Sequence, residues 1–265
     1  MKLPEELIKI INDNVSGSEE LRNKLIAFFI NEIQKKNNIR IYFPTLSEHF
    51  KEFATISNLI STLEKIDYEN IEYYLREEIN SSKNIYSSLY KNLEQILSNN
   101  AKIITISNSN TLTQIFNIAF NQFPKIKFYV SESRPINEGI IMAERLSQIG
   151  FDVTLITEAM IPKFVEKCDF ALSGADKILP DGGIINKIGT KSLAISCKYY
   201  GKPFYVVSKK NKFTQSPEIH FSEHSESEIY SGKAKTFSIA KNVYFEKIDS
   251  NLITKIITED CENKN

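Results

Sequence analysis

Five short apolar runs, four of them with β-branched residues, separated by helical stretches constrain this chain more than any other feature. They are Ile103-Ile104-Thr105-Ile106, Ile126-Lys127-Phe128-Tyr129-Val130, Val153-Thr154-Leu155-Ile156, Phe170-Ala171-Leu172 and Phe204-Tyr205-Val206-Val207. Strands that alternate with helices pair in parallel through right-handed crossovers, so the pattern predicts a mainly parallel sheet. A sixth run, Val243 to Ile248, predicts an edge strand on that sheet. Residues 209–235 carry little periodicity and read as a long polar loop.

Before residue 98 the period is different. Apolar residues recur at three and four, as in Leu21, Leu25, Phe28 and Phe29, or Phe53, Ile56, Leu59, Ile60 and Leu63, which predicts helices. Ser16-Gly17-Ser18-Glu19-Glu20 offers a helix cap with early acidic residues, and Phe43-Pro44-Thr45 a break between helices. The change of period at Ser98 to Ala101 marks the expected boundary. The fold class is therefore α/β, with a helical N-terminal domain over 1–98 and a Rossmann-like domain over 99–265.

Charge excludes several functions. Lysine plus arginine equals aspartate plus glutamate at 33 each, so no net field draws a nucleic acid or an acidic membrane surface. No run approaches the roughly 18 apolar residues of a membrane span. The three cysteines, Cys168, Cys197 and Cys261, form neither a metal pair nor a disulfide framework, and a cytoplasmic protein is expected. No Gly-x-Gly-x-x-Gly follows any strand, which argues against a dinucleotide, and no cofactor is expected.

In a parallel sheet, ligands lie off the carboxyl ends of the strands, where helix N-termini converge. The first end reads Ser107-Asn108-Ser109-Asn110-Thr111 and the third Thr157-Glu158, and ordinary helix caps account for either. The second reads Ser131-Glu132-Ser133-Arg134-Pro135. The fork of Arg134 suits a phosphate or carboxylate, or else an ion pair with Glu132 or Glu138.

The fourth end is the most specific. Ser173-Gly174-Ala175 lets backbone approach a ligand, and Asp176 follows at a buried strand terminus, where a carboxylate needs a partner or a task. A turn at Leu179-Pro180-Asp181-Gly182-Gly183 leads to Asn186-Lys187-Ile188-Gly189-Thr190 ahead of a helix. An amide from Asn186, a cation from Lys187 and free N–H groups at Gly189 and Thr190 suit a phosphate monoester. The alternative is an Asp176–Lys187 pair that braces the turn. His220, Glu223, His224 and Glu228 would share one helical face, yet the segment reads as solvated loop and no metal site is expected. Cys168 and Cys197 read as buried small hydrophobes, and His49 needs no role.

Taken in order, Ser131-Glu132-Ser133-Arg134-Pro135, Glu138-Gly139, Gly174-Ala175-Asp176-Lys177, Asn186-Lys187-Ile188-Gly189-Thr190 and Pro203-Phe204-Tyr205-Val206-Val207 resemble a known family. It joins the alpha, beta and delta regulatory subunits of eukaryotic translation initiation factor 2B to two sugar-phosphate isomerases, acting on methylthioribose 1-phosphate and ribose 1,5-bisphosphate. The resemblance implies a helical domain, a Rossmann-like domain, and dimers that sometimes stack into hexamers. It implies a phosphorylated sugar or nucleotide as ligand, held by Arg134, Asn186, Lys187, Gly189, Thr190 and Ser109, and it makes initiation factor 2 a candidate partner.

The isomerases use a cysteine after the first strand together with the aspartate of Gly-Ala-Asp. Asp176 matches the aspartate, and Ser107 stands where the cysteine would be. A hydroxyl is a far weaker acid or base than a thiol of pKa about 8.5, and no histidine is near in sequence to activate it. The Ser107 loop and Lys212-Phe213 resemble the initiation-factor subunits instead. Three readings follow: a regulatory protein that binds a phosphorylated ligand, an aldose–ketose isomerase with Asp176 as acid–base group and Ser107 or a water in place of the thiol, or an adaptor that binds initiation factor 2 through its C-terminal domain.

Overall fold

A computed structural model of the chain describes residues 3–215, 221–230 and 241–260. The N-terminal part comprises α1 (Glu5–Ile11), α2 (Ser18–Gln34), α3 (Phe43–His49), α4 (Ala54–Lys65) and α5 (Ile71–Glu94). The three-and-four spacing does what it predicts: Leu21, Leu25, Phe28 and Phe29 of α2 meet Ile56, Leu59, Ile60 and Leu63 of α4 in one core. Pro44 sits in the first turn of α3, where its missing N–H costs nothing.

The second part alternates as its sequence does: β1 (Lys102–Thr105), α6 (Asn110–Ala119), β2 (Lys127–Ser131), α7 (Glu138–Ile149), β3 (Asp152–Ile156), α8 (Ile161–Val165) and β4 (Phe170–Ser173). There follow β5 (Lys177–Ile178), β6 (Ile184–Lys187), α9 (Thr190–Tyr199), β7 (Phe204–Val207), β8 (Phe245–Ile248) and β9 (Lys255–Ile257). The main sheet has six strands, all parallel, in the order β3-β2-β1-β4-β7-β9. The end of α5 joins α6 and α7 on one face, through Leu89, Leu93, Phe116, Met142 and Leu146. Helices α8 and α9 cover the other, through Ile161, Val165, Leu193 and Ala194.

One expectation is corrected. The strand within Val243 to Ile248 is not an edge of the main sheet: β8 pairs antiparallel with β6, in a second sheet of order β5-β6-β8. The sixth main-sheet strand is β9, a three-residue segment. Period-two alternation identifies a strand but not its neighbour, and three residues are too few to show a period.

The chain runs outward from β1 through β2 and β3, then returns to β4 on the other side of β1. The loops after β1 and β4 therefore part in opposite directions, which opens a crevice at their carboxyl ends. Among the described residues no helix is long and apolar enough to cross a membrane.

Candidate functional site

The crevice between β1 and β4 is a pocket closed by both parts of the chain. Its walls are Ser107 to Thr111 after β1, Gly174 to Asp176 after β4, Asn186 and Lys187 of β6, Lys212 after β7, and Gly17, Ser18, Glu19 and Phe53 from the helical part. Gly174 is needed for the close approach, since a Cβ there would stand 3.0 Å from Ser109 Oγ.

Two helices begin at this pocket. Helix α2 starts after Gly17 with no side-chain cap. The cap position falls on Gly17, which has no side chain to cap with, and Ser18 inside the first turn donates its hydroxyl to Asp176 Oδ1 at 2.7 Å. Helix α6 starts after Ser109, whose Oγ accepts from the Leu112 N–H at 3.3 Å, so the cap reading holds for Ser109. Both helices turn the positive ends of their dipoles toward one space.

Asp176 is 7% exposed and fixed three ways. Besides the Ser18 bond, its N–H donates to the Ile185 carbonyl at 2.9 Å, and its carbonyl accepts from the Ala54 N–H at 3.2 Å. The helical part thus holds the aspartate by both side chain and backbone.

Ser107 lies across the pocket with φ of 65°, a left-handed conformation costly for a residue bearing a Cβ. Its N–H donates to Ser133 Oγ at 2.8 Å, and its hydroxyl donates to Glu138 Oε1 at 3.0 Å. Ser133, with φ also 65°, is pinned in turn by its N–H to Glu158 Oε1 at 2.6 Å. Glu138, the first residue of α7, is 3% exposed. Burial pushes its carboxyl above the ordinary range; Lys187, a backbone N–H and the Ser107 hydroxyl offset this in part, and the charge of Asp176 adds to it.

Lys187 is one of two lysines that line the pocket, with Lys212. Its Nζ is 3.9 Å from Glu138 Oε1 and 4.9 Å from the ring centroids of both Tyr244 and Phe245. The carboxylate facing it is thus Glu138, while Asp176 takes its bond from Ser18. Asn186 Nδ2 donates to Thr190 Oγ1 at 3.0 Å, and that hydroxyl donates to the Lys187 carbonyl at 2.6 Å, which locks the turn into α9.

Not every expected ligand residue arrives. The pairing of Asn186 with Glu246 across β6 and β8 sets the Glu246 carboxylate against the first turn of α9. It accepts from the Lys191 N–H at 2.9 Å and from the backbone of Gly189 and Thr190. Those two residues line the turn and not the pocket, and Gly189, at φ of 95°, serves close packing against Ile106. Arg134 is exposed and donates to the Ile229 carbonyl at 3.4 Å, away from the pocket.

Conversely, Gly17, Ser18, Glu19, Glu138 and Lys212 were not assigned from the pattern of strand ends. In the sequence Lys212-Phe213 carries only a resemblance, Glu138 a resemblance and a candidate ion pair with Arg134, and Glu19 reads as an ordinary first-turn acid. In fact Glu19 is 2% exposed and is paired with Lys209 at 2.7 Å. It also accepts from Asn211 Nδ2 and the Thr55 hydroxyl, each at 3.0 Å. Burial alone would raise its pKa, but Lys209, Lys212 and Arg22 outweigh it and hold the carboxyl at about 2.

Of the other candidates, Cys168 and Cys197 are buried free thiols pushed up to about 11 and about 12, first by desolvation. His220 and Cys261 lie outside the described residues. His224 stacks on Tyr244 at 3.4 Å, Glu223 pairs with Lys241, and Glu228 accepts from Asn242 and from the hydroxyl of the same Tyr244.

Fold and pocket define a Rossmann-like α/β protein with a small polar site roofed by a helical N-terminal domain. The chain belongs to the Initiation factor 2 subunit family, which it matches over residues 3–261. It is 28% identical over 268 residues to a Pyrococcus furiosus protein provisionally named translation initiation factor eIF-2B subunit 2-like, covering 97% of this chain and 96% of that one. It is 27% identical over 241 residues to ribose 1,5-bisphosphate isomerase of Methanocaldococcus jannaschii, covering 87% and 78%. The crystal structure of Pyrococcus horikoshii translation initiation factor eIF-2B superposes with a TM-score of 0.81 at 24% identity, over 97% of this chain and 96% of that one, and so shares the fold.

Proposed function

We propose that the chain binds a phosphorylated sugar or nucleoside monophosphate in this pocket and acts as a regulatory, self-assembling member of its family in translation initiation. The observation that carries the binding is the convergence of the α2 and α6 N-termini on a space that also holds Lys187 and Lys212. Backbone donors, two helix dipoles and two lysines favour a dianion, while Asp176 and Asn186 are suited to sugar hydroxyls. In this reading the phosphate contacts fall to Lys187, Lys212 and the first turns of α2 and α6. Calorimetric titration with ribose 1,5-bisphosphate, ribose 5-phosphate and AMP tests this. A folded Lys187→Ala variant should lose affinity roughly 10-fold or more for whichever ligand binds, as expected for loss of a charge-assisted bond. Unchanged affinity would remove the proposal.

A second reading, aldose–ketose isomerisation, has its own support in the placement of Ser107 and Asp176 on opposite walls of one pocket, with Glu138 behind the serine. The similarity to ribose 1,5-bisphosphate isomerase is consistent with it. Formation of ketose from ribose 1,5-bisphosphate or methylthioribose 1-phosphate by the purified chain decides this reading.

A further inference from the structure

Serine alone does not exchange protons near neutral pH, so an acid–base reaction that uses Ser107 opposite Asp176 needs an ionisable group joined to the serine. We infer that Glu138 supplies it, as a positioning residue and proton store that acts through the Ser107 hydroxyl. The inference rests on the isomerase reading and deepens it.

Three observations converge. The Ser107 and Glu138 oxygens are 3.0 Å apart, although 31 residues separate them in sequence. The serine is held there at a conformational cost, since its φ of 65° and the bond from its N–H to Ser133 Oγ fix the direction of its side chain. Glu138 is walled off from water, so its proton can leave only through its neighbours. The charged and titratable groups facing it are Lys187 and Asp176, with Tyr244 beyond. Its raised pKa is the direction a proton store requires, since an ordinary glutamate would be empty at neutral pH.

The proton balance then closes without any further reactant. In an aldose 1-phosphate, the bond between C1 and the ring oxygen breaks, and its electron pair takes a proton passed from Glu138 through Ser107. Asp176 removes the proton from C2, whose electron pair forms the C1–C2 double bond. Asp176 next returns its proton to C1. The 2-hydroxyl gives its proton to Ser107, which passes one back to Glu138 as the C2 carbonyl forms. Both carboxyl groups end as they began.

The test compares wild type with Glu138→Gln, Glu138→Asp, Ser107→Ala and the Glu138→Gln/Ser107→Ala double variant, using ribose 1,5-bisphosphate. Glu138→Gln should lower kcat roughly 100-fold or more with KM within a few-fold, and should remove the alkaline limb of the kcat profile. Glu138→Asp should recover part of the rate, and the double variant should be no slower than the worse single one. A Glu138→Gln enzyme within twofold of wild type, or additive effects, overturns the inference. If wild type makes no ketose, the isomerase reading fails and a second measurement judges the pair. In carboxyl-carbon NMR of glutamate-labelled protein, one resonance, absent from Glu138→Gln, should titrate above the ordinary range and move higher in Ser107→Ala. No movement on Ser107→Ala overturns the pair.

Discussion

Glu19 and Lys209 stand 190 residues apart in the chain and meet at 2.7 Å with almost no exposure to water. One belongs to the first turn of α2 and the other to the loop after β7, so the pair ties the helical part to the sheet beside the pocket that Glu19 lines. Asn58 adds to the tie by donating to the carbonyls of Asn211 and Phe213 at 2.8 and 3.0 Å.

Breaking that pair from one side leaves a buried charge without its counterion. Glu19→Ala should therefore destabilise the chain by about 3–5 kcal/mol, read as a lowered urea midpoint with an unchanged slope.

The same carboxylate sets an acid limit. Its pKa lies at about 2 in the folded chain against 4.5 as the unperturbed value. A depressed carboxylate contributes stability above the unfolded pKa, and that contribution fades as pH falls from 4.5 toward 2. Unfolding midpoints measured across this window should fall less steeply for Glu19→Gln than for wild type.

Gly139 is pressed against the end of β2, where a Cβ would come within 1.8 Å of the Ser131 carbonyl oxygen. Neither strand nor helix has a flexible tip to move aside. Gly139→Ala should cost roughly 1–3 kcal/mol or more in thermal unfolding, the range for forced overpacking.

Arg134 is exposed and donates to the Ile229 carbonyl. Arg134→Ala should leave affinity for any phosphorylated ligand within about twofold, whereas Lys212→Ala should weaken it roughly 10-fold. Side-by-side titrations of the two variants check this contrast.

Much of this architecture was legible. The alternation from Ile103 to Val207 fixed a parallel sheet because period and length together leave few other solutions, and Asp176 was marked by following small residues at a buried strand end. Two things were not legible, for different physical reasons. The α9 N-terminus is closed by Glu246, whose position depends on a long-range strand pairing that no local pattern encodes. The pocket's other half comes from Gly17, Ser18 and Glu19, which read locally as a helix start and acquire their role only when the two parts meet. Ser107 was legible as a position but not as chemistry, because its partner Glu138 opens a helix 31 residues further along the chain.

Asp176 is held on one side by the Ile185 carbonyl of β6 and on the other by Ser18 and Ala54 of the helical part. A ligand in the pocket is therefore a third party to the bond between two halves. Occupancy strengthens their cohesion by RT ln(1 + [L]/Kd), and loosening the halves weakens the ligand by the same free energy. Whatever small molecule fits here is read by the whole chain as a change in how firmly it is closed.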